Sequence, residues 1–177
     1  MMRLLQSCIH PDLENLDGTT LHRRAARAIA LTGESILLLY TEYYRDYSLP
    51  GGGVDEGEDL LRGLVRELEE ETGARNIKVL QPFGLYEEYR PWYKAEHDII
   101  HIESYCYVCR VDFELGNTRL EDYEKRNGMV PVWIDVRDAI KHNRELMASG
   151  ESKGMSIKRE TFLLEQIAEE LLENPSK

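Results

Sequence analysis

Long apolar runs are missing from this chain of 177 residues. The longest, Ile36 to Leu39 followed by Tyr40, falls far short of the roughly 20 residues a bilayer-spanning helix needs. Met1 to His10 lacks the apolar centre of a signal peptide. These absences predict a soluble, cytoplasmic protein with no membrane partner. Cysteine is equally scarce: Cys8, Cys106 and Cys109 make an odd count without framework spacing, which excludes a disulfide scaffold and suits a reducing compartment. Positive charge is the third shortage. A net charge of −11 is the wrong sign for a broad nucleic-acid surface, because clustered Lys and Arg are needed to displace counterions. A nucleotide-sized ligand stays compatible with that charge, but an acidic protein handling an anion needs placed arginines or a bound cation.

What is present suffices for one globular domain, since 42% of residues are hydrophobic and the length is that of a single unit. Residues 1–20 show no sustained period and carry turn formers at Asp12, Asn15, Asp17 and Gly18, so they read as an extension or loop. The domain then occupies residues 21–177. "RAARAIAL", "TGES" and "ILLLYTEYY" read as two strands joined at Gly33, a β-hairpin. A helix is expected from Asp59 to Gly73, where glycine suits a helix C-terminus. "NIKVLQPFGLYEEY" is strand-like but interrupted by Pro82 and Gly84, "IIHIESYCYVCRVDF" reads as a long strand, and "GMVPVWIDV" as a shorter one. Asp138 to Met147 looks helical. "SIKRETFLLEQIAEELLE" carries a helical apolar stripe at Ile157, Phe162, Leu163, Ile167, Leu171 and Leu172, with charges opposite. Mixed strands with helices on both faces give an α/β/α or α+β sandwich.

The informative stretch is "LPGGGVDEGEDLLRGLVRELEEETGA", residues 49–74. On its helix, Leu60, Leu61, Leu64, Val65 and Leu68 form one apolar face. Glu67 and Glu71 fall beside the edge of that stripe, and Glu70 lies one step further round toward Arg66. Like charges at i, i+3 and i+4 each weaken an isolated helix by roughly 0.2–0.5 kcal/mol, and the helix dipole disfavours carboxylates in the last turn. A divalent cation reverses the sign of this crowding, since Mg²⁺ or Mn²⁺ selects carboxylate and backbone oxygens. Gly51 to Gly53 allow backbone to approach an ion or phosphate closely. An acidic, solvated helix is the plainer alternative for an isolated run of glutamates.

Spacing favours the cation. The stretch fits Gly-x5-Glu-x7-Arg-Glu-aliphatic-x-Glu-Glu-x-Gly-aliphatic at Gly52, Glu58, Arg66, Glu67, Leu68, Glu70, Glu71 and Gly73, with small Ala74 where a larger aliphatic residue is common. This resembles the Nudix box of the Nudix hydrolases, and the strand order from about Arg24 onward is similar to that family.

The resemblance implies an α/β fold, a Nudix-type α/β/α sandwich with a mixed β-sheet, and metal-dependent hydrolysis of a pyrophosphate linkage in a nucleoside diphosphate derivative. Carried over, Glu67, Glu70 and Glu71 would hold Mg²⁺ or Mn²⁺ with the Gly52 carbonyl, while Arg66 and Glu58 orient the cluster. The general base is Glu67, Glu70 or a carboxylate of a later loop among Asp112, Glu114, Glu121 and Glu124, with Glu121 favoured. ADP-ribose or another nucleotide sugar is the leading substrate expectation. A normal or oxidised nucleoside triphosphate comes second, and a nucleotide sensor without turnover third. Arg45, Tyr47, Tyr89 and Arg90 are candidate substrate contacts. A homodimer is plausible by analogy with many relatives.

Weaker signals favour packing. Cys106-x2-Cys109 near His97 and His101 has a zinc-like look, but on a strand the two thiols point to opposite faces. The basic run "HRRAAR" is too short for nucleic-acid binding and suits a surface contact or dimer edge.

Overall fold

A computed structural model describes residues 2–172. The architecture is a mixed sheet with helices on both sides. Its strands are β1 (Leu4–Ile9), β2 (Thr20–Thr32), β3 (Ser35–Thr41), β4 (Asp46–Ser48), β5 (Gly51–Gly53), β6 (Lys78–Pro91), β7 (Ile99–Arg110) and β8 (Met129–Asp135). The helices are α1 (Leu60–Thr72), α2 (Asp122–Asn127), α3 (Val136–Ser149) and α4 (Ile157–Leu171). The main path runs β1-β6-β7-β2-β3-β4, with β5 pairing β2 and β8 pairing β3. Strands β1 and β6, like β2 and β7, are parallel, whereas β6 and β7 are antiparallel.

The hairpin of β2 and β3 forms around Gly33 as its sequence predicts. Its apolar run lacks alternation because both faces are covered. Ile36 and Leu38 enter a core with Val136, Ala139, Leu163, Leu164 and Ile167 from α3 and α4. Leu37 enters a second core with Leu64 and Leu68 of α1. Beneath α1, β2 presents only Ala26, Ala28 and Ala30, small side chains that admit the helix close to the sheet. Cys106 and Cys109 fall into these two separate cores, on opposite faces of β7 as the two-residue period requires.

Helix α1 starts where Asp59 caps the Arg62 N–H at 3.2 Å and stops at Gly73, whose φ of 72° places it in the left-handed region. Its buried face differs from the expected one. Leu61 is exposed and Val65 half-buried, while Gly63, Glu71 and Thr72 are buried beside Leu64 and Leu68. The inner face is thus rotated toward the acidic end of the helix.

Three further expectations change. Residues 4–9, read as part of an extension or loop, form edge strand β1, held parallel to β6 from Leu4↔Leu85 to Ile9↔Tyr89. Pro82 and Gly84 do not interrupt β6, because irregularities in its pairing with β7 at Val79/Gln81 and Pro82/Gly84 absorb them. Helix α4 does not keep all its charges outside: Arg159 and Glu160 are only 4% and 2% exposed. Residue 173, the last of the stretch quoted for this helix, lies outside the described residues. No helix among the described residues is long and apolar enough to cross a membrane.

Candidate active site and metal cradle

Strand β5 hydrogen-bonds antiparallel to β2, with Ala25↔Gly53, Ala26↔Gly52 and Arg27↔Gly51 in register. This lays three glycines along the C-terminal half of α1. Gly51 has φ 134°, and a Cβ there would sit 2.0 Å from the Ala26 carbonyl oxygen. Gly51→Ala should therefore destabilise the fold by at least about 1–3 kcal/mol through backbone strain alone, read as a lower urea midpoint. An unchanged midpoint would mean the strand has another conformation.

The glutamates meet this strand at two levels. Glu71 is 3% exposed, and its carboxylate accepts the Gly51 N–H at 2.7 Å. Burial pushes its pKa up to about 9. The hydrogen-bonded Glu124 carboxyl adds to the rise, and the Gly51 N–H opposes it. Nearer the surface, Glu67 lies so close to Gly52 that a Cβ there would stand 3.5 Å from the carboxylate. Burial also raises the Glu67 pKa, with Arg66 opposing and Glu70 reinforcing the shift. Arg66 binds Glu58 in a two-pronged pair, Nε to Oε2 and Nη2 to Oε1 both at 3.0 Å. Its Nη1 reaches Glu67 at 3.2 Å and Glu70 at 3.4 Å. That pairing holds the Glu58 carboxyl below its ordinary pKa.

A cavity of about 520 Å³ opens beside the cradle, lined by Gly51 to Gly53, Glu71, Tyr123 and Glu124 and also by Arg27, Arg90, Arg159 and Glu160. Asp46 also lines it, its carboxyl pushed up to about 6 by burial and then by Glu160.

The expected site residues divide on this geometry. Glu58, Arg66, Glu67, Glu70, Glu71 and Gly52 form one connected cluster. Arg90 lines the cavity. Glu121 does not: it sits at the N-terminal cap of α2, its N–H donating to Glu124 Oε1 at 2.9 Å, and Glu124 is the residue that turns inward. Tyr47 lies across β4 from cavity-lining Asp46 and Ser48, against His142 with ring centroids 4.9 Å apart, because adjacent strand residues face opposite ways. Arg45 projects to Glu151 at 3.0 Å on the surface. Tyr89 stacks on His101, centroids 4.3 Å apart, on the face of β6 opposite Arg90. Reasoning from the sequence missed Arg27, Arg159 and Glu160. Only their charge inside apolar patterns signals them.

Among the described residues no three Asp, Glu, His or Cys side chains form a closed metal-ligand group. Arg66 stands between Glu67 and Glu70, and Glu71 turns to Gly51. The donor set still fits a hard divalent cation. Glu67 and Glu71 border the glycine strand, Glu70 joins them through Arg66 and Glu124 through Glu71, and burial is the largest cause of the raised pKa of both Glu67 and Glu71.

Comparison with known proteins bears on the same region. A model of the NUDIX domain matches residues 21–154. The chain belongs to the Nudix family. It is 45% identical over 53 residues to an RNA pyrophosphohydrolase of Bartonella quintana (strain Toulouse), a match covering 30% of this chain and 27% of the relative. A second RNA pyrophosphohydrolase, from Pelagibacter ubique (strain HTCC1062), is 49% identical over 35 residues, covering 20% of this chain and 22% of the relative. The chain thus matches only about a quarter of these relatives' length. A solved NUDIX hydrolase from Nitrosomonas europaea superposes with a TM-score of 0.56 over 84% of this Nudix chain and 90% of its own, at 15% identity, a likeness of fold.

Proposed function

We propose that this Nudix protein hydrolyses a pyrophosphate bond in a nucleotide derivative with the help of Mg²⁺ or Mn²⁺. One observation carries the reading: Glu71 and Glu124 line a nucleotide-sized cavity together with the glycine strand, Glu67 lies beside Gly52 with Glu70 joined to it through Arg66, and Glu71 is buried where only a proton or a cation neutralises it. Glu67, Glu70, Glu71 and the Gly52 carbonyl would hold the ion. When bound, such an ion neutralises diphosphate oxygens and lowers the pKa of an attacking water.

The remaining work falls to the chain. Arg66, tied to Glu58, keeps the carboxylates of Glu67 and Glu70 from splaying apart. Gly51 to Gly53 leave room for phosphate beside the backbone. Glu124, at the cavity wall, takes the proton of the attacking water as its oxygen bonds to phosphorus and the bridging P–O bond breaks. The products are two phosphate-bearing fragments.

ADP-ribose or another nucleotide sugar is the favoured substrate. The names of the relatives favour a second reading, removal of pyrophosphate from a 5′-triphosphate end. The charge of −11 opposes a long polynucleotide in that role. Incubation with Mg²⁺ or Mn²⁺ and a panel of ADP-ribose, other nucleotide sugars, nucleoside triphosphates and a short 5′-triphosphate RNA should release AMP from ADP-ribose. Pyrophosphate from the triphosphates would favour the second reading. Metal-independent turnover would sink the metal cradle, and no turnover would sink the hydrolase reading.

A further inference from the structure

Two imidazoles converge on the sheet at a place that belongs neither to the cores nor to the substrate cavity. In the parallel pair of β2 and β7, His22 stands in register with His101, and their Nδ1 atoms face each other 2.9 Å apart. The ring planes are 85° apart. His22 is exposed, whereas His101 is only 8% exposed. His22 shares its face of β2 with Ala26, the register partner of Gly52, but four residues separate the two, roughly 13 Å of strand. The pair is thus distinct from the carboxylate cradle.

His101 is held from two sides. Tyr89 stacks on its ring, with centroids 4.3 Å and planes 10° apart. The Glu87 carboxylate stands behind it, Oε2 at 3.2 Å from Nε2, in an ionic contact rather than an aligned hydrogen bond. Ser7 Oγ in turn donates to Glu87 Oε1 at 2.7 Å. A carboxylate on that side favours the proton on Nε2 and leaves the Nδ1 lone pair turned toward His22. Metal-binding histidines are built this way, one nitrogen free for the ion and the other backed by a carboxylate that fixes ring and tautomer.

A plain hydrogen bond between the rings accounts for the Nδ1 contact alone and gives no work to the carboxylate and tyrosine that orient His101. A shared ion accounts for both, and the separation selects its geometry. Two nitrogens about 2.0–2.1 Å from one ion stand about 2.9 Å apart at a right angle and about 3.3 Å apart at the tetrahedral angle. The observed distance is that of neighbouring positions in a tetragonal site, the preference of Cu²⁺ and Ni²⁺. The exposed His22 ring can rotate to bring both lone pairs to one point. Glu87, Glu103 and Arg24 share this face by register, so the charge around the pair suits a cation.

We propose that His22 and His101 form a two-nitrogen binding site for a tetragonal divalent transition-metal ion, Cu²⁺ or Ni²⁺, with water in its remaining positions. Glu87 and Tyr89 are positioning residues for His101. The site stands independently of the hydrolase reading.

The test is calorimetric titration of the untagged wild-type protein with Ni²⁺ in excess Mg²⁺, a hard ion that imidazole does not retain. Wild type should bind Ni²⁺, and His22→Gln and His101→Gln should each weaken that binding at least about tenfold. Glu87→Gln, which touches the ion only through His101, should weaken it by about 10-fold or more, an effect that a merely structural carboxylate would not produce in a folded variant. No Ni²⁺ binding by wild type, or affinity unchanged in His22→Gln, would overturn the site. Loss in His22→Gln with full affinity in a folded His101→Gln would also overturn it, since a single imidazole would then be the ligand. Should His101→Gln fail to fold, His22→Gln and Glu87→Gln decide: weakening in both supports the shared site, and weakening in only one sinks it.

Discussion

Glu71→Gln should make the metal-free protein more stable while removing its metal-stimulated turnover. The wild-type side chain is buried with its carboxyl pushed up to about 9 from an ordinary 4.5. A folded pKa above the unfolded one means that the folded state holds the proton more tightly. The associated stability is fully present below about pH 4.5 and is lost as pH rises toward 9. Glutamine carries no proton to lose. Its oxygen can still accept the Gly51 N–H, and its NH₂ can donate to Glu124. In chelator the variant should gain about 1–3 kcal/mol at neutral pH, several degrees in melting temperature for a chain of this size. The gap should widen between pH 5.5 and 8.5 in scanning calorimetry. Adding Mg²⁺ should stabilise the wild type by mass action and the variant far less, with turnover falling about 10²-fold or more. A variant no more stable than wild type in chelator, or a gap indifferent to pH, would mean that Glu71 is not held protonated.

That trade between stability and function explains why this part of the site was legible in the sequence. Carboxylates at 67, 70 and 71 break the local preferences of a helix, and a broken preference needs a reason. The glycines and Arg66 supplied one by spacing alone. Other parts left no such trace. Strand β1 is short, lies at the sheet edge and gains its order from pairing with β6 about 80 residues away, as in Leu4↔Leu85 and Ile9↔Tyr89, so no local pattern announced it. Arg159 and Glu160 sit in a helix whose apolar stripe reads correctly at Ile157, Leu163 and Ile167. Nothing in a 3.6-residue period says that two charged neighbours are sealed inside by Glu88 and Arg27 from distant strands. Tyr47 and Asp46 are adjacent in a three-residue strand. Periodicity requires that they face apart but does not say which faces the cavity.

The same limit governs the choice between Glu121 and Glu124, which should be resolved by a large kinetic difference. Both precede or open α2, a helix of six residues, too short for a stripe to reveal its inner face. The structure separates them by position. Glu121 is the capping residue, tied to Glu124 in a reciprocal capping box in which its N–H donates to Glu124 Oε1, and it does not line the cavity. Glu124 is 4% exposed, lines the cavity and is hydrogen-bonded to Glu71. A positioned proton acceptor contributes about 10²–10⁴-fold to such a reaction. Glu124→Gln should therefore lower kcat by at least about 10²-fold, within that range, with substrate KM nearly unchanged. Glu121→Gln should leave kcat within about threefold, since loss of an N-terminal cap interaction weakens a helix by roughly 1 kcal/mol without touching the chemistry. If Glu121→Gln proves the more damaging substitution, the segment at 121–128 takes a different orientation during turnover. The proton would then leave through the outer carboxylate.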